Sequence, residues 1–178
     1  MKETMSILIA GYGGQGILFS GKVIAYAGLI DEKEISWLPS YGPEMRGGSA
    51  NCTICLSNEA IASPYIQYPD YFVAMNQLAF NKFMPMVEKG GMAVYDSAII
   101  NGATDRGDVK VSGIDAVTLA EENGLKGLAN MVITGKLYKE LPFCAFSSLE
   151  KAVEKSVPAG RTQLIEMNLK AIQLGLEN

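Results

Sequence analysis

Two stretches of this chain carry residues whose type and spacing could do chemistry. Gly11-Tyr-Gly13-Gly14-Gln15-Gly16 fits the pattern G-x-G-x-x-G, and it stands between a short apolar run, Ser6–Ala10, and a segment of helical spacing, Ile17–Ile30. Glycines at such a turn let the backbone bend tightly and approach a diphosphate, and the following helix offers free N–H groups and the positive end of its dipole. Gly11, Gly13, Gly14, Gln15 and Gly16 are therefore candidate phosphate-binding residues. The plainer alternative is that these glycines serve only a tight strand-to-helix turn.

The second stretch, Pro39-Ser-Tyr-Gly-Pro-Glu-Met-Arg-Gly-Gly-Ser49, has two prolines, three glycines and no periodicity. Long connections without structure of their own tend, in compact domains, to be binding or lid loops. It holds Arg46, one of three arginines in the chain. A guanidinium beside the backbone amides of Gly47 and Gly48 suits a phosphate or carboxylate partner. Tyr41, Glu44, Arg46, Gly47 and Gly48 join the candidate set. The bland alternative is an Arg46–Glu44 surface pair that contributes little. If the flanking strands are parallel, both loops emerge at one carboxyl edge and can converge on one ligand.

A dinucleotide site of Rossmann type also needs an acid at the end of its second strand, roughly 20 residues on, for the ribose hydroxyls. Here the second strand reads Glu34-Ile-Ser-Trp-Leu38, with its acid at the beginning and Trp37-Leu38 at the end. An ordinary NAD-dependent dehydrogenase is the weaker reading.

The chain contains no histidine. That excludes Ser-His-Asp and Cys-His nucleophile arrangements and every histidine-containing zinc or non-haem iron site. Three cysteines, Cys52, Cys55 and Cys144, fall short of the four thiolates an iron–sulfur cluster usually takes. An odd, sparse set also argues against a disulfide framework and for a reducing cytoplasm. Cys52-Thr-Ile-Cys55 has redox spacing, but redox pairs open helices and these two fall in a predicted strand. There, residues three apart face opposite ways, so they are read as packing thiols.

Composition narrows the class further. With 48% hydrophobic and 19% charged residues, the 178-residue chain is rich in core formers and reads as one domain, residues 1–178. Lys and Arg number 15 against 19 Asp and Glu, a net charge of −4 with no basic cluster. Nucleic acid and anionic membranes are therefore poor partners. No stretch approaches the roughly 20 apolar residues of a membrane span. The first apolar run is too short for a signal-peptide core, so the expected location is the cytoplasm.

The elements that must position the candidate residues follow from periodicity. Strands are predicted at Ser6–Ala10, Glu34–Leu38, Ala50–Leu56, Tyr71–Ala74, Met92–Tyr95 and, weakly, Val109–Val111. Helices are predicted over Ile17–Ile30, Gln77–Glu88, Asp115–Glu122, Asn130–Glu140 and Leu149–Val157, with a terminal helix carrying Ile165, Leu169, Ile172 and Leu176 on one face. Gly90-Gly91 would cap the Gln77–Glu88 helix, and Ser147-Ser-Leu-Glu150 has the spacing of a capping box. Strands alternating with helices, then a helical last third, predict an α/β fold: a three-layer α/β/α sandwich on a mostly parallel sheet, with a Rossmann-like start.

The two loops together, Gly-Tyr-Gly-Gly-Gln-Gly16 and Ser40-Tyr-Gly-Pro-Glu-Met-Arg-Gly-Gly48, resemble those of the gamma subunit of 2-oxoacid:ferredoxin oxidoreductases. The 2-oxoglutarate and 2-ketoisovalerate enzymes are the most similar. The resemblance extends over essentially the whole chain, with Asn130 opening a helix where the family has a similar polar residue, and Asn168, Ala171 and Gly175 near the end. It implies a multisubunit enzyme that converts a 2-oxoacid and coenzyme A to acyl-CoA and carbon dioxide, passing electrons to ferredoxin. It further implies thiamine diphosphate, magnesium and iron–sulfur clusters on partner subunits: alpha and beta, and delta where there is one. This chain would contribute coenzyme A-side binding and assembly without redox centres or a catalytic residue of its own, and could self-associate when isolated. The competing readings are a stand-alone NAD(P)- or FAD-binding protein and a pure scaffold whose glycine turn touches only a partner's backbone.

Overall fold

A computed structural model describes residues 4–40 and 49–178. Its frame is a six-stranded sheet. The strands are β1 (Thr4–Tyr12), β2 (Glu34–Ser40), β3 (Ser49–Ser57), β4 (Tyr71–Ala74), β5 (Met92–Asp96) and β6 (Lys110–Ile114). They lie in the order β2-β3-β1-β4-β5-β6. The β1–β4, β4–β5 and β5–β6 pairs are parallel. β3 runs antiparallel to both β1 and β2, so β1 and β2 point the same way with β3 reversed between them. Five of the six strands therefore share one direction, and the sheet is mostly parallel.

Helix α1 (Ile17–Ile30) carries the chain from β1 to β2. This crossover skips one strand position, and β3 then folds back into the gap. Placement follows from residue type. β1 is buried on both faces from Met5 to Gly11, as a near-continuous apolar run in a central strand must be. β2 is half-exposed along its length and includes Pro39, a residue that suits an edge strand because it has no N–H to donate.

The two faces are covered unequally. Met5, Ile7 and Ile9 of β1, with Cys52, Ile54 and Leu56 of β3, pack beneath α1 and the helices of the last third. Those are α3 (Ala116–Glu122), α4 (Ala129–Glu140), α5 (Phe146–Ser156) and α6 (Gln163–Glu177). The other face buries Leu8, Ala10, Phe72 and Ala93 against Phe80 and Phe83 of the short α2 (Gln77–Phe83) and the residues after it. The three layers are thus present, with one outer layer much thinner.

Three local expectations are corrected. The Gln77–Glu88 helix stops at Phe83 and gives way to a 3-10 turn, Met84–Met86, because Pro85 has no N–H to continue the ladder. Gly90 does take a left-handed backbone, φ 78°, but its N–H donates to the Asp108 carbonyl at 2.9 Å. It turns the chain into β5 and caps no helix. The Arg106 guanidinium ties the same corner down, donating to the carbonyls of Pro85 and Val87 at 3.0 and 2.9 Å and pairing with Asp108 at 2.7 Å.

The capping box at Ser147 is also absent. α5 begins at Phe146, three residues before the expected Leu149, without a side-chain cap from its own N-cap residue. The cap comes from Asp31, just past α1: its carboxylate accepts the Ala145 N–H at 2.7 Å and the Ser148 hydroxyl. A carboxylate at a helix N-terminus satisfies orphan amides and complements the dipole. Asp31→Ala is expected to lower stability by about 1–2 kcal/mol, read as a shift in the denaturation midpoint. Ser147→Ala, the capping-box control, should change it by less than about 0.5 kcal/mol. A reversed order of the two would restore the local capping box.

Candidate functional site

The glycine turn lies at the carboxyl end of β1, and its shape is set by three distinct demands. Gly11 is needed for packing: a Cβ there would lie 2.7 Å from Ile17 and 2.9 Å from the Met75 side chain. Gly14 is needed for conformation, with φ 92° and nothing within 4 Å of the point where a Cβ would stand. Gly16 is needed for both. It is the N-cap of α1 in the left-handed region, φ 77°, and a Cβ would fall 2.5 Å from Asn130 Nδ2. Left-handed backbone favours glycine because other residues clash with their own carbonyl there.

Two side-chain amides lock the turn. Gln15 Oε1 accepts the Tyr12 N–H at 2.6 Å, and its Nε2 donates to the Met75 carbonyl at 2.6 Å. Both ends of this amide are used within the chain, stapling the end of β1 to the end of β4. Asn130, second residue of α4, donates from Nδ2 to the Gly16 carbonyl at 3.3 Å and to Ser20 Oγ at 3.0 Å. Its backbone carbonyl accepts the Thr134 hydroxyl at 2.8 Å. The turn is therefore held from both sides, by β4 and by α4.

Neither α1 nor α4 has a side-chain cap at its N-terminus. Each leaves leading amides for an outside acceptor, with the positive end of the dipole behind them. Gly14 and Gln15 from the first, and Gly127, Ala129 and Asn130 from the second, line one cavity of about 300 Å³. Gly13 borders a separate hollow with Tyr12, Gly16 and Ala50 on the β3 side of the turn.

Of the second loop, Tyr41, Glu44, Arg46, Gly47 and Gly48 lie outside the described residues. Its two anchors are informative. Ser40, the last residue of β2, pairs with Asn51, which in turn pairs with Ala10. Ser49 opens β3 opposite Tyr12. The loop's ends therefore stand at the same sheet edge as the glycine turn. Glu34 pairs with Ser57, opposite Thr4, at the other edge. The one acid of β2 is thus at the wrong end of the sheet to meet a ligand on the turn.

The cysteines sit apart from this edge chemistry. Cys52 faces the α1 side, its thiol donating to the Ile17 carbonyl at 3.6 Å, while Cys55 faces the other way. Burial pushes the Cys52 and Cys144 thiols up to about 12, so at neutral pH they are protonated and unreactive. Among the described residues, no group of three or more His, Cys, Asp or Glu is placed to hold a metal ion. No helix among them is long and apolar enough to cross a membrane.

Sequence reasoning did not find Asp96. It ends β5 at the carboxyl edge, is 1% exposed and lines the cavity beside Gln15 and Asn130. Its Oδ1 accepts the N–H groups of Ala98 and Ala116 at 3.1 and 3.2 Å, while Oδ2 is buried and accepts no hydrogen bond of full geometry. Burial raises its pKa above the ordinary carboxylate value, partly offset by those amides and by the Val117 N–H. The available signal was an acid placed directly after the apolar run Met92-Ala-Val-Tyr95.

Comparison with known proteins agrees with this architecture. Residues 6–178 match the family model described as pyruvate ferredoxin/flavodoxin oxidoreductase. The chain is 36% identical over 172 residues to the ketoisovalerate oxidoreductase subunit VorA of Methanothermobacter thermautotrophicus, covering 96% of this chain and 35% of that one. It is 35% identical over 182 residues to the 2-oxoglutarate synthase subunit KorC of Methanocaldococcus jannaschii, covering 99% and 95%. The chain thus spans about a third of the first relative and nearly all of the second. Among solved structures, a keto/oxoacid ferredoxin oxidoreductase gamma subunit from Geobacter sulfurreducens superposes with a TM-score of 0.83 at 27% identity, covering 97% of this chain and 96% of that one.

Proposed function

The chain belongs to the pyruvate ferredoxin/flavodoxin oxidoreductase family, and from that premise we propose that it is the gamma subunit of a 2-oxoacid:ferredoxin oxidoreductase. Its task is to hold the phosphates of coenzyme A at the glycine turn and to complete the assembly, while partner chains carry the redox chemistry. The observation that supports this best is the locked turn itself. Gly14 and Gly16 are left-handed, α1 opens without a side-chain cap, and Gln15 and Asn130 fix the loop in place. A turn held this rigidly keeps its amides aimed at one point in space, which lowers the ordering cost of binding an anion.

Thiamine diphosphate, magnesium and iron–sulfur clusters belong in this reading to alpha and beta subunits, and to a delta subunit where there is one. The chain's own residues do not suit an iron–sulfur cluster: it has three cysteines and no histidine, and the Cys52 and Cys144 thiols are protonated at neutral pH. Arg46 would add a guanidinium to the phosphate site. Trp37 and Leu38, exposed on the edge strand β2, are surface that a partner chain, or a second copy of an isolated chain, would cover. The 2-oxoglutarate and branched-chain 2-oxoacid enzymes are the substrate classes favoured by the relatives. The setting is the cytoplasm, without nucleic acid or membrane.

Anaerobic purification of the tagged chain from its native cells tests the reading. The expected result is brown co-purifying chains that reduce an electron-accepting dye only when both a 2-oxoacid and coenzyme A are present. A lone, colourless chain that binds NAD(P) or FAD would replace it with the dinucleotide-enzyme reading.

A further inference from the structure

The cavity between the glycine turn, α3 and α4 contains more than a phosphate cradle requires. Gly14 and Gln15 of the turn line it together with Val117 of α3 and Asn130 of α4. Asp96 also lines it. Oδ1 of that carboxylate is committed to the amides of Ala98 and Ala116; the Val117 amide also acts on the carboxylate, yet the other oxygen, Oδ2, accepts no hydrogen bond of full geometry. A buried polar atom without a hydrogen bond is rare in native proteins, because desolvation costs about 1–3 kcal/mol with nothing in return. An ionised carboxylate oxygen can only accept, so what it lacks is a donor.

We propose that this cavity is a subsite for the sugar of a nucleotide, with a ribose hydroxyl donating to Asp96 Oδ2; the inference rests on the reading that the glycine turn holds the same ligand's phosphates. Three observations favour a sugar. The cavity measures about 300 Å³, the small end of ligand sites, so it admits one segment of a cofactor rather than the whole. It adjoins the turn directly, since Gly14 and Gln15 line it, so a group a few bonds away from a bound phosphate reaches it. Its unpartnered group is an acceptor at the end of a parallel strand, the sheet edge where open α/β sheets take their ligands. Ribose recognition, assigned by the Rossmann pattern to the second strand and missing there, is carried in this arrangement by β5.

Calorimetric titration of the full chain with ADP, dideoxy-ADP and inorganic pyrophosphate tests this. Asp96→Asn keeps the acceptor for Ala98 and Ala116 and replaces Oδ2 by a donor. Val117→Trp enlarges a half-buried side chain that lines the cavity and reduces the space for a sugar. The wild type should bind ADP about tenfold more tightly than dideoxy-ADP, a difference of about 1.4 kcal/mol. Both variants should abolish that difference and leave pyrophosphate affinity within about twofold. ADP binding that is the same in the wild type and both variants, with pyrophosphate retained, overturns the sugar subsite and leaves the phosphate reading standing. A wild-type chain that binds neither ADP nor pyrophosphate overturns both.

Discussion

Gly135→Ala is expected to destabilise the protein by about 2–3 kcal/mol, the upper part of the range for overpacking a tight contact. The reason lies where α4 crosses α6. A Cβ on Gly135 would stand 2.0 Å from the Ile172 carbonyl oxygen and 2.9 Å from its carbon. On the facing helix, a Cβ on Gly175 would stand 2.0 Å from the Val132 carbonyl oxygen and 2.7 Å from the Lys136 nitrogen. The obstacles are backbone atoms, which no rotamer change can move. Relief requires the two helices to separate, and that loosens Met131, Val132, Ala171 and Ile172, all fully buried between the helices and the sheet. In a helix with free space, the same substitution would stabilise by up to about 1 kcal/mol, so the sign alone discriminates. Denaturant unfolding of Gly135→Ala, Gly175→Ala and the double variant measures it. The double variant should lose much less than the sum of the singles, because one methyl already forces the helices apart. An unchanged or raised midpoint for Gly135→Ala would mean that the helices do not approach this closely.

This crossing marks the boundary of what the sequence reveals about the fold. Periodicity locates α4 and α6, since each carries apolar residues at helical spacing, and it gives α1 as Ile17–Ile30, its observed span. It does not say that two glycines inside those helices mark a backbone contact, because a missing side chain adds nothing to an apolar pattern. The same limit applies to the sheet. β1 and β3 are both apolar, and nothing in either says that β3 enters antiparallel between β1 and β2. Pairing is decided by the crossover length of α1 and the fold-back after β2, not by local composition. The α5 cap follows the same rule: Ser147 and Glu150 make a local pattern, but Asp31, more than a hundred residues away in sequence, reaches Ala145 and Ser148.

The site was legible in a corresponding part. Four glycines between a strand and a helix announce a tight turn from spacing alone, and the turn is where the spacing put it. Its supports were not legible. Gln15 reads as a contact to ligand, yet both ends of its amide are spent on Tyr12 and Met75. Asn130 reads as a helix opener, yet it is the clamp on Gly16. Asp96 carries no motif at all. Such residues act through atoms brought close only by the fold, and a single sequence does not mark which ones those are.

Gly16→Ala should accordingly be the most damaging change within the turn, and the comparison with Gly14→Ala shows why. Both glycines are left-handed, at φ 77° and 92°, so both substitutions bear a conformational cost of about 1–2 kcal/mol. A methyl at Gly14 meets nothing within 4 Å, whereas one at Gly16 meets Asn130 Nδ2 at 2.5 Å and its Cγ at 2.7 Å. To admit it, Asn130 must withdraw, and its hydrogen bonds to the Gly16 carbonyl and Ser20 Oγ are lost inside the protein. That adds about 1–2 kcal/mol, for a total of about 2–4 kcal/mol. The excess belongs to one pair of residues, so a double-mutant cycle isolates it. In an Asn130→Ala background the amide is already gone, and Gly16→Ala should cost only what Gly14→Ala costs, a coupling of about 1–2 kcal/mol. Additive effects would show that Asn130 does not clamp the turn. Pyrophosphate affinity supplies the functional half of the same cycle. If the clamp is what aims the amides, Gly16→Ala and Asn130→Ala should each weaken it, and the double variant little further than either alone.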